Sequence, residues 1–260
     1  MLSLKTAVWD SATRPFVEMK LLAVECATER CSVALWLNGE VINLSTDGAD
    51  QRNSESLLPM VSRILEQADL SLKGLDAIAF GAGPGAFTGL RVACGVAQGL
   101  AFGADLPVVA VGSLEIMAEG LRTALSPSHD AIDQNPIQVL AVLDARMGEV
   151  YSAQLISEAH DWRLLNGPQL SQPEGVKVDP QQKCWGVGDG FVLHTASLTN
   201  RLSGSVEWVQ TCLQVPDAVP LVQLAALRFQ KHGGMPAELA QPVYVRDKIA
   251  LTSAERAAAK

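Results

Sequence analysis

Three short runs open the regular part of the chain: Leu21 to Glu25, Cys31 to Leu37 and Glu40 to Ser45 are apolar throughout or alternate apolar with polar positions. Runs of that length predict strands, and Asn38-Gly39 between the second and third predicts a tight hairpin. Leu57, Leu58, Val61, Ile64, Leu65 and Ala68 then recur near helical spacing, which predicts a helix capped by Asn53 or Ser54 and running through Ala68. Pro59 sits early in it, where a missing amide proton is best tolerated. A strand from Leu75 to Phe80, a helix from Val92 to Phe102, a strand from Val108 to Val111 and a helix from Ser113 to Ala124 follow. The order β-β-β-α-β-α-β-α predicts a mixed sheet covered by helices.

The join between Phe80 and Val92 carries four glycines, Gly81, Gly83, Gly85 and Gly89, with Pro84 among them. Glycine admits positive φ and close approach of a second main chain or a ligand, while Thr88 is a natural N-cap for the helix beyond. A glycine-rich turn opening a helix also suits anions. The spacing does not give a P-loop, because no lysine occurs between Lys73 and Lys177. It gives only a loosened dinucleotide fingerprint, since the acidic residue further on, Asp105, precedes the next strand instead of ending it. A structural turn is the primary reading and a ligand or interaction loop the alternative.

Ser126 to Pro136 is a polar break and the best candidate boundary. Beyond it, Ile137 to Leu143, Glu149 to Ile156 and Trp162 to Leu165 again predict three strands. A strand near Cys184 to Val187, a helix around Phe191 to Leu202, a strand from Val206 to Gln210 and a helix from Val219 to Lys231 complete the half. Glu25 and Asp144 end corresponding strands of the two halves. Two domains that each begin with a three-strand meander predict an α/β chain of the duplicated actin/hexokinase/Hsp70-like (ASKHA) architecture, with two mixed-sheet domains. The division is an extension over 1–19, a first domain over 20–125, a linker over 126–136 and a second domain over 137–260.

Composition narrows the chemistry. The 260 residues are 48% hydrophobic and 18% charged, enough for substantial cores, and a formal net charge of −8 disfavours nucleic acid as a direct ligand. The first 19 residues fail as a signal peptide and no run approaches a membrane span, which predicts a cytoplasmic protein. Five cysteines with no C-x-x-C pair predict reduced, mostly buried thiols and no disulfide framework. The four histidines, His129, His160, His194 and His232, lie too far apart in sequence for a paired-histidine metal site on one helix.

Leu22 to Thr28, Asn53 to Pro59, Gly83 to Arg91, Leu143 to Tyr151 and Pro242 to Arg246 together resemble the bacterial TsaB family, over about residues 20 to 250. The resemblance implies a non-catalytic subunit of the machinery that installs threonylcarbamoyl on adenosine 37 of tRNA. It implies a heterodimer with the catalytic paralogue TsaD, an ATPase, TsaE, that joins the pair, and contact with tRNA only through the complex. Relatives commonly carry Asp at the position of Glu25 and His at that of Asn53. A stand-alone actin-like nucleotide-dependent kinase or hydrolase is the rival reading, and a homodimer built on the same helices is a third.

No catalytic or metal residue is assigned. Gly95 and Gly99 form a stripe with Gly103 on the second helix; they either pack tightly on this protein's own sheet and first helix or, as the resemblance implies, face TsaD. Leu57, Met60, Ile64, Val92, Val96 and Leu100 are the accompanying interface candidates. Gly83, Gly85, Thr88, Arg91, Asp144 and Arg146 are candidates for nucleotide or anion contacts, and Arg91 and Arg146 equally for salt bridges that hold strand ends. Glu25-Cys26-Ala27-Thr28 lacks the glycine of a phosphate-binding turn, so no cofactor is expected on the chain alone. An ATP or ADP with magnesium shared at an interface stays open.

Overall fold

The structure, a computed structural model, describes residues 18–46, 53–125, 136–158, 160–179, 184–202, 204–210 and 214–246. Most of the N-terminal extension, most of the polar break and the last residues fall outside them.

Strands β1 (Lys20–Glu25), β2 (Ser32–Leu37) and β3 (Glu40–Ser45) form the meander. Its β2–β3 turn uses Asn38 and Gly39 with φ of 52° and 101°, the double positive φ that two-residue hairpins require. Helix α1 (Asn53–Gln67) leads to β4 (Ala77–Gly83), which pairs parallel with β1, and α2 (Phe87–Ala104) leads to β5 (Val108–Gly112) and α3 (Ser113–Leu125). The first sheet therefore has the order β3-β2-β1-β4-β5.

The second half repeats this plan. Strands β6 (Gln138–Asp144), β7 (Val150–Glu158) and β8 (Asp161–Ser171) form a meander, and β9 (Cys184–Val187) and β10 (Val206–Trp208) add in parallel on the other side of β6. The order β8-β7-β6-β9-β10 matches the first sheet strand for strand, with the same parallel and antiparallel senses. The chain has the duplicated actin-like architecture. Among the described residues no helix is long and apolar enough to cross a membrane.

Alternation along the strands sets the layers. Leu22, Val24, Val33, Leu35, Ile78 and Phe80 point to one face of the first sheet, where Leu57, Val61 and Ile64 of α1 and Ala93, Ala97 and Ala101 of α2 cover them. Leu21, Ala23, Ala34, Ala77 and Ala79 point to the other face and share one core with Val139, Ala141, Leu143, Ala153 and Leu155 of the second sheet. Between the sheets lie α3 and α6 (Ala218–His232), and α6 rests on β1, β2, β4 and β5 although it belongs to the later half of the sequence. Its start is held there by Ala218 N donating to Ser32 Oγ at 2.9 Å and by Arg30, whose Nη2 lies 3.2 Å from Asp217 Oδ2. The outer face of the second sheet packs Leu140, Val142 and Val150 against Phe191 and Leu198.

Three local readings are corrected. Thr88 lies inside α2, whose N-cap is Ala86 with no capping side chain, because β4 continues through Gly81 to Gly83 and the helix starts earlier than the apolar pattern suggests. The helix over 191–202 is two, α4 (Asp189–Leu193) and α5 (Thr195–Leu202), since Thr195 Oγ1 donates back to Phe191 O and Val192 O at 2.6 and 2.9 Å and ends the first. Cys26 and Cys31 are disulfide-bonded instead of reduced. They follow the last β1–β2 pair, Glu25↔Ser32, and so face each other with Cα atoms 4.5 Å apart, as directly opposed positions of an antiparallel pair do. Cys94 and Cys184 are free and buried, as expected.

Candidate functional site

The glycine turn wraps around the turn that follows β1. A β carbon on Gly85 would sit 2.5 Å from Ala27 O, one on Gly89 1.8 Å from Cys26 O, and one on Gly81 1.6 Å from Glu25 Oε2. Gly83 has φ of +107°, and a β carbon there would meet Val243 O at 2.8 Å. Ala86 N donates to Ala27 O at 2.7 Å, locking the two turns together. The space these glycines leave is therefore filled by this chain's own atoms, as a structural role for the turn expects.

Where that pair of turns faces the second half, a cleft of about 390 Å³ opens. Ala27, Thr28 and Glu29 come from the β1–β2 turn, Pro84 to Phe87 from the glycine turn, Asp144 to Arg146 from the end of β6, and Val243 to Arg246 from the C-terminal segment. Arg146 pairs with Glu29 across the cleft and has its Nε 3.7 Å from Asp144 Oδ2, so it takes the salt-bridge role. Asp144 accepts from Arg146 N at 3.2 Å and lies 3.0 Å from His194 Nε2, while its own amide donates to Asp189 Oδ1 at 2.8 Å. Burial pushes the Asp189 carboxyl above its usual range. Arg91 stands at the rim, over the Phe87 ring at 3.8 Å and donating to Tyr244 Oη at 2.9 Å. Arg246 Nη2 donates to Ala145 O at 3.0 Å and to Glu149 Oε2 at 2.6 Å.

The residues considered for nucleotide or anion contacts are mostly engaged within the chain. Gly83 and Gly85 face protein, Arg91 and Arg146 are engaged, and Glu25 is 1% exposed behind the turn with Oε1 accepting from Ala27 N at 2.5 Å. Thr88 is exposed on the helix. Among the described residues no group of three or more His, Cys, Asp or Glu side chains could hold a metal ion.

The second feature is the outer side of α1 and α2. Gly95, Gly99 and Gly103 have nothing within 4 Å of a β carbon placed on them, which overturns tight packing on the protein's own sheet or first helix. Val92, Val96, Leu100 and Met60 are half-buried at the edge of this face, and Phe102 on it is 78% exposed. Leu57 and Ile64 are corrected: both are fully buried and fasten α1 to its own sheet.

Sequence reasoning attached no site role to Phe87, Glu29, Asp189 or the Val243–Arg246 segment. The one available signal was Pro242 to Arg246 as a motif in its own right; its place beside β4 is set by Val243 N donating to Ala82 O at 2.7 Å, a contact no periodicity announces.

Comparison with known proteins gives consistent names. Residues 47–184 match the family described as TsaD, tRNA N6-adenosine threonylcarbamoyltransferase. The tRNA threonylcarbamoyladenosine biosynthesis protein TsaB of Haemophilus influenzae is 35% identical over 241 residues, covering 89% of this chain and 95% of its own. Its counterpart in Escherichia coli is 36% identical over 236 residues, covering 89% and 96%. The solved structure of YeaZ from Pseudomonas aeruginosa superposes with a TM-score of 0.73 at 36% identity, covering 87% of this chain and 99% of that one.

Proposed function

Since the chain belongs to the TsaB family and serves tRNA threonylcarbamoyladenosine biosynthesis, we propose that it does so as a non-catalytic cytoplasmic subunit that binds TsaD through the outer side of α1 and α2. The observation that carries this reading is the open glycine stripe. Each interior helical glycine costs about 0.5–1 kcal/mol relative to alanine, and Gly95, Gly99 and Gly103 relieve no crowding within the chain. A helix from another protein can approach closely over them, with Val92, Val96 and Leu100 along one flank. Such a pairing would remove roughly 1,200–2,000 Å² from water. TsaE joins the resulting pair, and tRNA is met by the assembly. Any nucleotide belongs to a surface shared between subunits, because the cleft residues here are tied to one another.

Light scattering after size-exclusion chromatography of this chain with TsaD of the same organism tests the proposal. A 1:1 species is expected, lost in Val96→Asp and in Gly99→Arg, the latter placed where a side chain has open space. Circular dichroism confirms that the variants fold. No complex at tens of micromolar, with magnesium-dependent ATP turnover that Glu25 or Asp144 substitutions abolish, would establish the enzyme reading instead. A 2:2 or homodimeric species lost in the same variants would assign the face to a second copy of this chain.

A further inference from the structure

The C-terminal segment, residues 236–246, touches both features described above. Along α2, Gln98 Nε2 donates to Ala237 O and to Ala240 O, each at 3.1 Å, and Cys94 Sγ lies 3.5 Å from Ala240 O. Next, Val243 N joins β4 through Ala82 O at 2.7 Å, and Tyr244 Oη receives Arg91 Nε at 2.9 Å. At its end, Arg246 crosses to the second half and donates to Ala145 O and Glu149. One strap thus runs beside the helix of the open face and then forms a wall of the cleft.

Its outer side is uncovered. Leu239, between the two carbonyls that Gln98 holds, is 60% exposed, and Val243 and Tyr244 are 47% and 44% exposed. On a helical wheel Gln98 and Arg91 flank Gly95, so the strap borders the glycine face on the side away from α1. The far anchor is incompletely satisfied: Arg246 Nε is buried with no hydrogen-bond partner among the described residues. Its guanidinium still reaches Ala145 O, Glu149 Oε2 and, at 3.7 Å, Met147 Sδ, so the strap is tied to both halves.

We propose that this strap couples the α2 face to the cleft: a partner helix laid on α2 also covers Leu239 and Tyr244, holds the strap, and through Arg246 fixes the Ala145–Glu149 turn and the opening of the cleft. The partner half of this inference rests on the TsaD reading above. Two sites that bias one element are coupled reciprocally, so closure of the cleft in turn strengthens partner binding.

Hydrogen exchange read by mass spectrometry on the full chain, alone and with TsaD, tests it. In the chain alone, Gln98→Ala should speed exchange in residues 236–246 and also in the 145–149 turn, by roughly tenfold, with β1 and β6 unchanged. Should that variant fail to fold, Tyr244→Phe, which removes only the hydroxyl that Arg91 reaches, carries the same expectation at smaller amplitude. Adding TsaD to the unaltered chain should slow exchange in α2, the strap and the turn together. Protection of α2 with strap and turn unchanged overturns the coupling alone. A strap loosened by Gln98→Ala beside an unaffected turn also overturns it. Absence of any protection on α2 removes the partner reading, and the coupling with it.

Discussion

Glu25 shows what one residue at a strand end is asked to do. It closes β1 in the position that Asp144 holds in the repeat, yet it faces inward, with Oε2 buried and unpartnered and Gly81 leaving it room. Loss of water on burial, opposed in part by the Ala27 amide, raises its pKa from 4.5 to about 7. The folded state therefore holds this proton more tightly than the unfolded chain. The favourable difference is fully present below pH 4.5 and is lost as pH rises through about 7. Urea unfolding at pH 5 and pH 8 should show wild type losing about 2.5 kcal/mol relative to Glu25→Gln, which has no proton to lose. Equal pH dependence in the two proteins would mean that the carboxyl reaches water. The closing acidic residue was legible in the sequence; its direction was not, because strand periodicity fails at the last position of a strand. The Cys26–Cys31 pair was hidden for a related reason, since counting and spacing say nothing of which residues oppose each other across a turn.

Element by element, the strands were read most reliably, because two-sided burial writes continuous apolar runs into β1, β4 and β6. Helix ends were read worst at α2, where Gly81 and Gly83 look like loop yet belong to the strand and Gly89 to the helix, with only Gly85 in the turn between. Those glycines divide into two kinds that composition cannot separate. Gly89 lies against the Cys26 carbonyl, backbone that has nowhere to move, whereas Gly95 is open. Gly89→Ala should destabilise the chain by about 3 kcal/mol or prevent folding, while Gly95→Ala should stabilise the isolated chain by about 0.5–1 kcal/mol. Thermal and urea denaturation measure both. A Gly95→Ala chain more stable alone yet weaker toward its partner would separate helix propensity from docking; a destabilised one would mean that the stripe is packed within the chain. The interface expectation failed at Leu57 and Ile64 for a reason common to amphipathic helices: the most apolar positions are the ones the chain keeps for itself.

At the scale of the molecule, the duplication was legible in the order of elements and the path of the chain between the halves was not. Helices α3, α6 and strand β8 meet at Arg228, whose Nη2 lies 3.0 Å from Glu115 Oε1 and 2.7 Å from Asp161 Oδ1. Arg228→Met leaves two part-buried carboxylates without their cation. It should cost about 3–5 kcal/mol, read as a shift in the urea midpoint; a change below 1 kcal/mol would mean that the acids are solvated. Because α6 covers the inner face of the first sheet, Leu21, Ala23 and Ala34 are made early in synthesis and sheltered only after residue 232 has been added. On a ribosome that interval lasts on the order of ten seconds. Nascent chains would spend it with one side of a finished sheet bare, the period in which a chaperone matters most to this protein's yield.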